Sequence, residues 1–186
     1  MVSSESLLKA ADSESLPPVE SWNPDFCGEI DLRIDRDGSW FYEGTPIGRR
    51  KMQILFSRII KKENHDYFLV TPVEKVKIQV DWMPFTIVDF EQVTPTKGKG
   101  ELPYYRFTDN CDNQFDLKKS SQWQIDRAEG HPLPIINVRR NLFASFSRSC
   151  YYRLVELAEI IEEGEQSHIQ LISNGLTFDL GTINQE

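Results

Sequence analysis

Acids crowd the stretch 29–44, EIDLRIDRDGSWFYEG, where Asp35 and Asp37 precede Gly38. Oxygen ligands at alternate positions ahead of a glycine are the arrangement of a helix–loop–helix calcium site. With Gly38 at the sixth position, Asp35 and Asp37 take the third and fifth. Arg33 then falls at the first position and Gly44 at the twelfth. A cation at the first ligand and no terminal carboxylate exclude calcium of this type. Acid–base work is the other chemistry, because Asp31 and Asp35 share a strand face with Arg33 between them. A solvated face, with Arg33 paired to acidic neighbours, accounts for the same residues and is the reading taken.

The paired arginines are the second feature. Arg49-Arg50-Lys51 and Arg139-Arg140 each open a stretch of helical spacing. Cations at a helix N-terminus oppose the helix dipole. A bound anion, held by guanidinium groups and backbone N–H groups, would explain them. Pairing with the many carboxylates of this chain is the bland alternative. If the halves of the chain are repeats, the two arginine sites could face one another across a cleft. Glu74 and Lys75 are adjacent and so point to opposite faces of a strand. Lys75 could reach a ligand, or could guard an edge strand.

Other motifs are missing. His65, His131 and His168 stand apart, with no zinc spacing. The GKG at 98–100 lacks the rest of a phosphate loop. Ser145, Ser147 and Ser149 do not sit at a nucleophile elbow. Cys150 falls on an apolar stripe and reads as core. No cofactor and no metal site is implied.

The elements that must carry these residues alternate strand and helix patterns. A short helix is expected over residues 3–11, ended by Pro17-Pro18. Ile30, Leu32 and Ile34 alternate with charged residues, the period of a half-buried strand. Asp37-Gly38 turns it, and Trp40-Phe41-Tyr42 returns. Thr45-Pro46 reads as a helix start. Met52, Leu55, Phe56, Ile59 and Ile60 follow at helical spacing, with Lys61 and Lys62 at the dipole's negative end. Strands are expected at 67–71, 75–80 and 85–90. A hairpin follows over 104–117, turned at DNCDN, then extended chain at 122–126 and through HPLPIINV. A long helix is expected over 141–163, with Leu142, Phe146, Cys150, Leu154, Leu157 and Ile161 inward, and a closing hairpin turns at Asn174-Gly175. RRKMQILFSR (49–58) aligns without gaps on RRNLFASFSR (139–148), so a duplicated α+β unit is expected. The division is a helical lead-in at 1–20, a first α+β lobe at 21–95, a connector at 96–103 and a second lobe at 104–186.

Composition bounds the function. The formal net charge is −8 over 186 residues, which disfavours binding to phosphate backbones, so no nucleic acid is expected. Beyond Cys150 the sole basic side chain is Arg153, against seven acids from Glu156 to Glu186. A solvated helix face is the reading of that acidic run. Three scattered cysteines make no disulfide framework. With no signal-peptide or membrane-spanning run, a cytoplasmic location is expected.

LPPVESWNPDFCGEIDLRIDRDGSWFYEGTPIGR, LFSRII, YFLVTPVEKV and FSRSCYYRLVELAE together resemble an uncharacterised bacterial family, domain of unknown function 1285 (DUF1285). The resemblance implies a cytosolic α+β protein with a repeated structural motif. It implies a small-ligand role in signalling, and no established activity or catalytic residue. Arg33, Arg49, Glu74, Lys75 and Arg148 match polar positions of its motifs. The expectation is a non-catalytic protein binding a small, anionic ligand. Candidate ligand-binding residues are Arg33, Arg49, Arg50, Glu74, Lys75, Arg139, Arg140 and Arg148. The alternatives are a protein-interaction module, using the acidic C-terminal helix or a strand edge, and a hydrolase using Asp31 or Glu74 as base. A protein partner or homo-oligomer is compatible with each.

Overall fold

The computed structural model describes residues 16–95, 102–127, 132–163 and 166–184. The expected helix at 3–11 lies outside them. The chain forms two compact units, Met1–Pro84 and Phe85–Glu186.

In the first unit β1 (Phe26–Ile34), β2 (Trp40–Tyr42) and β3 (Thr45–Pro46) form one meander. Helix α1 (Arg50–Arg58) follows, then a second meander of β4 (Ile60–Glu63), β5 (Asp66–Val70) and β6 (Lys75–Val80). The sheet order is β3-β2-β1-β6-β5-β4, with β1 and β6 parallel at its centre. The alternation of Leu32 and Ile34 with Arg33 gives β1 a buried face, continued by Val76, Ile78 and Leu69. Trp40 is buried and stacks on Phe56 of α1 at 6.3 Å between ring centroids. Each such large side chain contributes roughly 2–3 kcal/mol by leaving water.

Thr45-Pro46 is a short strand and not the helix start; Arg49 takes the N-cap position instead. The helix stops before two β-branched residues, Ile59 and Ile60, and the chain turns into β4. Lys61 and Lys62 therefore stand on a strand.

The second unit repeats the plan with different strands. β7 (Phe85–Val93), β8 (Tyr104–Asp109) and β9 (Gln114–Leu117) form one meander. β10 (Trp123–Asp126), β11 (Leu133–Arg139) and β12 (Leu142–Phe146) form the other. The order is β10-β11-β12-β7-β8-β9, with β12 and β7 parallel at the centre. Both sheets are thus two meanders joined through a parallel first–last pair, and the expected repeat is present as two similar lobes. The connector expected at 96–103 does not mark the division. β7 hydrogen-bonds into the second sheet, so the units part between Pro84 and Phe85.

Helix α2 (Arg148–Leu157) follows, then a small sheet in the order β13-β14-β15. Its strands are β13 (Glu159–Glu163), β14 (Gln166–Ser173) and β15 (Leu176–Asn184). The expected helix over 141–163 is therefore strand, helix and strand. Ser147 separates the first two: its hydroxyl accepts the Cys150 N–H at 3.3 Å, a helix N-cap. The aligned segments 49–58 and 139–148 consequently fold differently, one as helix and the other mostly as strand. Phe107, Phe146, Trp123 and Phe178 make a chain of ring contacts at 5.4–5.6 Å. Ser173 donates to the Leu117 carbonyl at 2.6 Å and accepts the Tyr105 N–H, tying the small sheet to β8 and β9.

Candidate functional site

The polar face of the first sheet collects charge in rows. Strand register sets Glu29 opposite Lys77, Lys77 opposite Phe68, and Phe68 opposite Lys61. Residues opposite one another share a face. Lys77 lies 2.9 Å from Asp66 and 3.7 Å from Glu29. The Asp66 hydrogen bond holds its ammonium above the usual lysine range. Around this pair runs an open cleft of about 530 Å³. Its polar lining is Glu29, Asp31, His65, Asp66, Lys77 and Gln79. Three carboxylates and one ammonium line the cleft, an excess of negative charge.

Beside it, Glu63 bridges two lysines. Lys75 lies 2.9 Å away and Lys61 3.3 Å away. Lys75 also stands over the Phe68 ring at 5.3 Å, and Lys61 donates to the Trp22 carbonyl at 3.2 Å. The Lys75 hydrogen bond first, with help from Lys61, holds the Glu63 carboxyl below its ordinary value.

The expected site residues fall in separate places. Arg33 pairs with Asp81 at 3.0 Å and lies over the Phe41 ring at 5.1 Å. Arg49 and Arg50 are exposed at the start of α1, as the spacing predicts. Glu74 belongs to a turn in which the Thr71 hydroxyl accepts its N–H at 3.1 Å. Lys75 stands on the polar face beside Glu63. Arg139 ends β11 and Arg140 occupies the tight turn to β12, with φ +52°, so neither opens a helix. The anion site expected there has no helix N-terminus to supply its N–H groups. Arg139 instead stacks over Phe85 at 4.8 Å. Arg148 opens α2 and is exposed. Of the eight, only Lys75 and Arg33 lie on the polar sheet face, and they stand at opposite ends of the β1–β6 pairing.

Glu29, Asp66 and Lys77, which do meet, were not singled out from the sequence. The signal for Lys77 is the polar half of the alternation in KVKIQV (75–80), whose apolar half predicts the strand.

The acid-rich turn resolves as architecture. The Asp35 carboxylate accepts the Asp37 and Ser39 N–H groups at 3.0 and 2.9 Å. Asp109 repeats this, accepting the Cys111 and Asn113 N–H groups at 2.8 and 3.0 Å. Asp109 is buried, and burial pushes its carboxyl up against the opposing hydrogen bonds from Asn113 and Cys111. Of the two carboxylates proposed as bases, Asp31 is exposed and lines the cleft, while Glu74 is half-buried and not part of its lining. Among the described residues no group of three or more His, Cys, Asp or Glu is placed to hold a metal ion. No helix among them is long and apolar enough to cross a membrane.

Residues 17–83 match the family model described as domain of unknown function (DUF1285), N-terminal domain. Residues 84–180 match protein of unknown function (DUF1285), C-terminal domain. A crystal structure of a DUF1285 family protein from Silicibacter pomeroyi DSS-3 is similar, with 42% identity, 95% of each chain covered and a TM-score of 0.77. A second, of a DUF1285 family protein from Shewanella baltica OS155, has 29% identity and a TM-score of 0.53. It covers 67% of this chain and 90% of the other. No curated protein matches the chain.

Proposed function

The chain belongs to the DUF1285 family, and from that premise we propose a binding protein whose first unit takes a small ligand bearing a cationic group. The observation that carries this reading is the charge of the cleft: Glu29, Asp31 and Asp66 against Lys77. An amine or guanidinium would meet exposed carboxylates there, and a second, anionic group could reach Lys77. A purely anionic ligand would meet net repulsion. Glu29, Asp31 and Asp66 are exposed, which suits reversible binding better than chemistry that needs water excluded. Regulation or signal transduction is the use such a protein would have, because a ligand that is not transformed acts by shifting populations of states.

The test is calorimetry on wild type, Asp31→Asn, Lys77→Ala and Arg49→Ala, with arginine and a linear diamine as cationic probes and inorganic phosphate as the anion. The expected result is binding of a cationic probe, weakened about five- to tenfold by Asp31→Asn and unchanged by Arg49→Ala. Equal affinity in wild type and Asp31→Asn would remove the site.

A second reading has one observation in its favour. Arg49 is the N-cap of α1 without a side-chain cap, and the first turn holds no carboxylate. An anion would suit the positive end of the helix dipole there. Phosphate binding lost in Arg49→Ala would select this reading over the first.

A further inference from the structure

The outer edge of the small sheet in the second unit is a short strand whose charges are all acidic. Among the described residues β13 hydrogen-bonds to β14 and to no strand on its other side. Its register is regular over all five pairs, without a bulge. Three of its five residues are glutamates, charges that discourage pairing with an acidic strand, and none is proline. Half of its backbone polar groups therefore present a pairing template.

The side chains around that edge are apolar and exposed. Ile160 is 63% exposed, yet it stands opposite the buried Ile169 and so extends the core row of the sheet outward. Leu157, 56% exposed, lines a shallow groove of about 320 Å³ with Leu102, Tyr105 and Ile172. Glu159, the first residue of β13, lines it too. The surround is acidic: Glu156, Glu159 and Glu162 are exposed, and no lysine or arginine occurs from residue 154 to the end of the sequence.

We propose that β13 takes up, by strand addition, an extended segment of a partner protein in which lysine or arginine alternates with apolar residues. Main-chain pairing along the edge supplies affinity, and alternate side chains supply selectivity. Apolar residues of the added strand cover Ile160 on one face of the sheet, and its cations, on the other face, meet Glu159. A second copy of this chain fits badly, because pairing two β13 edges brings acidic runs together, and like charges across a strand pair are destabilising.

Fluorescence anisotropy tests this with the full chain and a labelled peptide, KVKTKVKT. Three controls accompany it: the same peptide with glutamate for lysine, the same peptide N-methylated at alternate backbone amides, and the Ile160→Lys variant. The proposal expects KVKTKVKT to bind, the glutamate peptide to fail, and both N-methylation and Ile160→Lys to weaken binding tenfold or more. N-methylation leaves the protein untouched, so it separates lost pairing from a damaged fold. No binding of KVKTKVKT at millimolar peptide, or binding that survives N-methylation, overturns the proposal. A wild-type dimer in sedimentation that dissociates in Ile160→Lys overturns it in favour of self-pairing.

Discussion

Glu63 is the residue whose setting has the plainest consequence in solution. Lys75 and Lys61 hold its carboxyl below the ordinary value of 4.5. Its contribution to stability is therefore present above about pH 4.5 and is lost as pH falls through the depressed value. Glu63→Gln leaves two lysines with only 12% and 16% side-chain exposure near one another. The expected cost at pH 7 is about 1–2 kcal/mol, shrinking as wild type is acidified; urea melts at pH 7 and pH 3.5 measure the difference. Asp109 acts with the opposite sign. Its carboxyl is raised by burial, so the stability linked to its protonation is present below the unfolded value of 3.8 and is lost as pH rises through the folded one. The thiols give a second residue-scale prediction. Burial pushes Cys150 up to about 12, Cys111 is buried and Cys27 is exposed. A thiol reagent should label Cys27 alone in the native protein and all three cysteines in guanidinium. Rapid native labelling of Cys150 would contradict the burial described.

At the scale of elements, what was legible depended on whether a period had one interpretation. The alternation of Ile30, Leu32 and Ile34 ahead of Asp37-Gly38 admits only a strand and hairpin, and that is what forms. The stretch 141–163 admits two. Leu142, Phe146, Cys150 and Leu154 are spaced by four, which suits a helix, but four is also twice the strand period. The buried pair Leu142 and Ala144 follows the strand period up to Ser147, and the helix begins only there. Ser147 was the overlooked signal, a cap hydroxyl three residues before the Cys150 N–H. Ser147→Ala should cost about 1 kcal/mol, read from the urea midpoint. Gly175 should matter similarly. Its φ is +71°, and an added Cβ would come within 2.5 Å of a Leu102 methyl group. Gly175→Ala should cost about 1–2 kcal/mol and disturb the Leu102 side of the apolar groove. A midpoint unchanged in either variant would count against the local geometry.

The molecule as a whole is two lobes built to one plan, each a six-stranded sheet of two meanders with a parallel pair at the centre. That likeness lies in strand order, which residue-by-residue alignment does not capture. The alignment of 49–58 with 139–148 pointed to repetition through segments that fold differently. The site was harder to read for a related reason. Glu29, Asp66 and Lys77 are brought together by the parallel β1–β6 closure and the antiparallel β5–β6 pairing. Arginine pairs are conspicuous in the sequence, whereas single charges on alternating strand positions resemble any solvated face. The acidic cleft is the ground for proposing a ligand with a cationic group in place of the anion expected from the arginine pairs. The most direct measurement of that claim is a thermal-shift screen of wild type beside the double variant Glu29→Gln/Asp31→Asn. The panel would span amines, amino acids, nucleotides, phosphorylated metabolites and divalent metals. A ligand preferring the native state raises the melting temperature by mass action. The expected result is a rise with amine-bearing compounds in wild type that disappears in the double variant. A rise confined to anions, or one with amines that persists in the double variant, would contradict it.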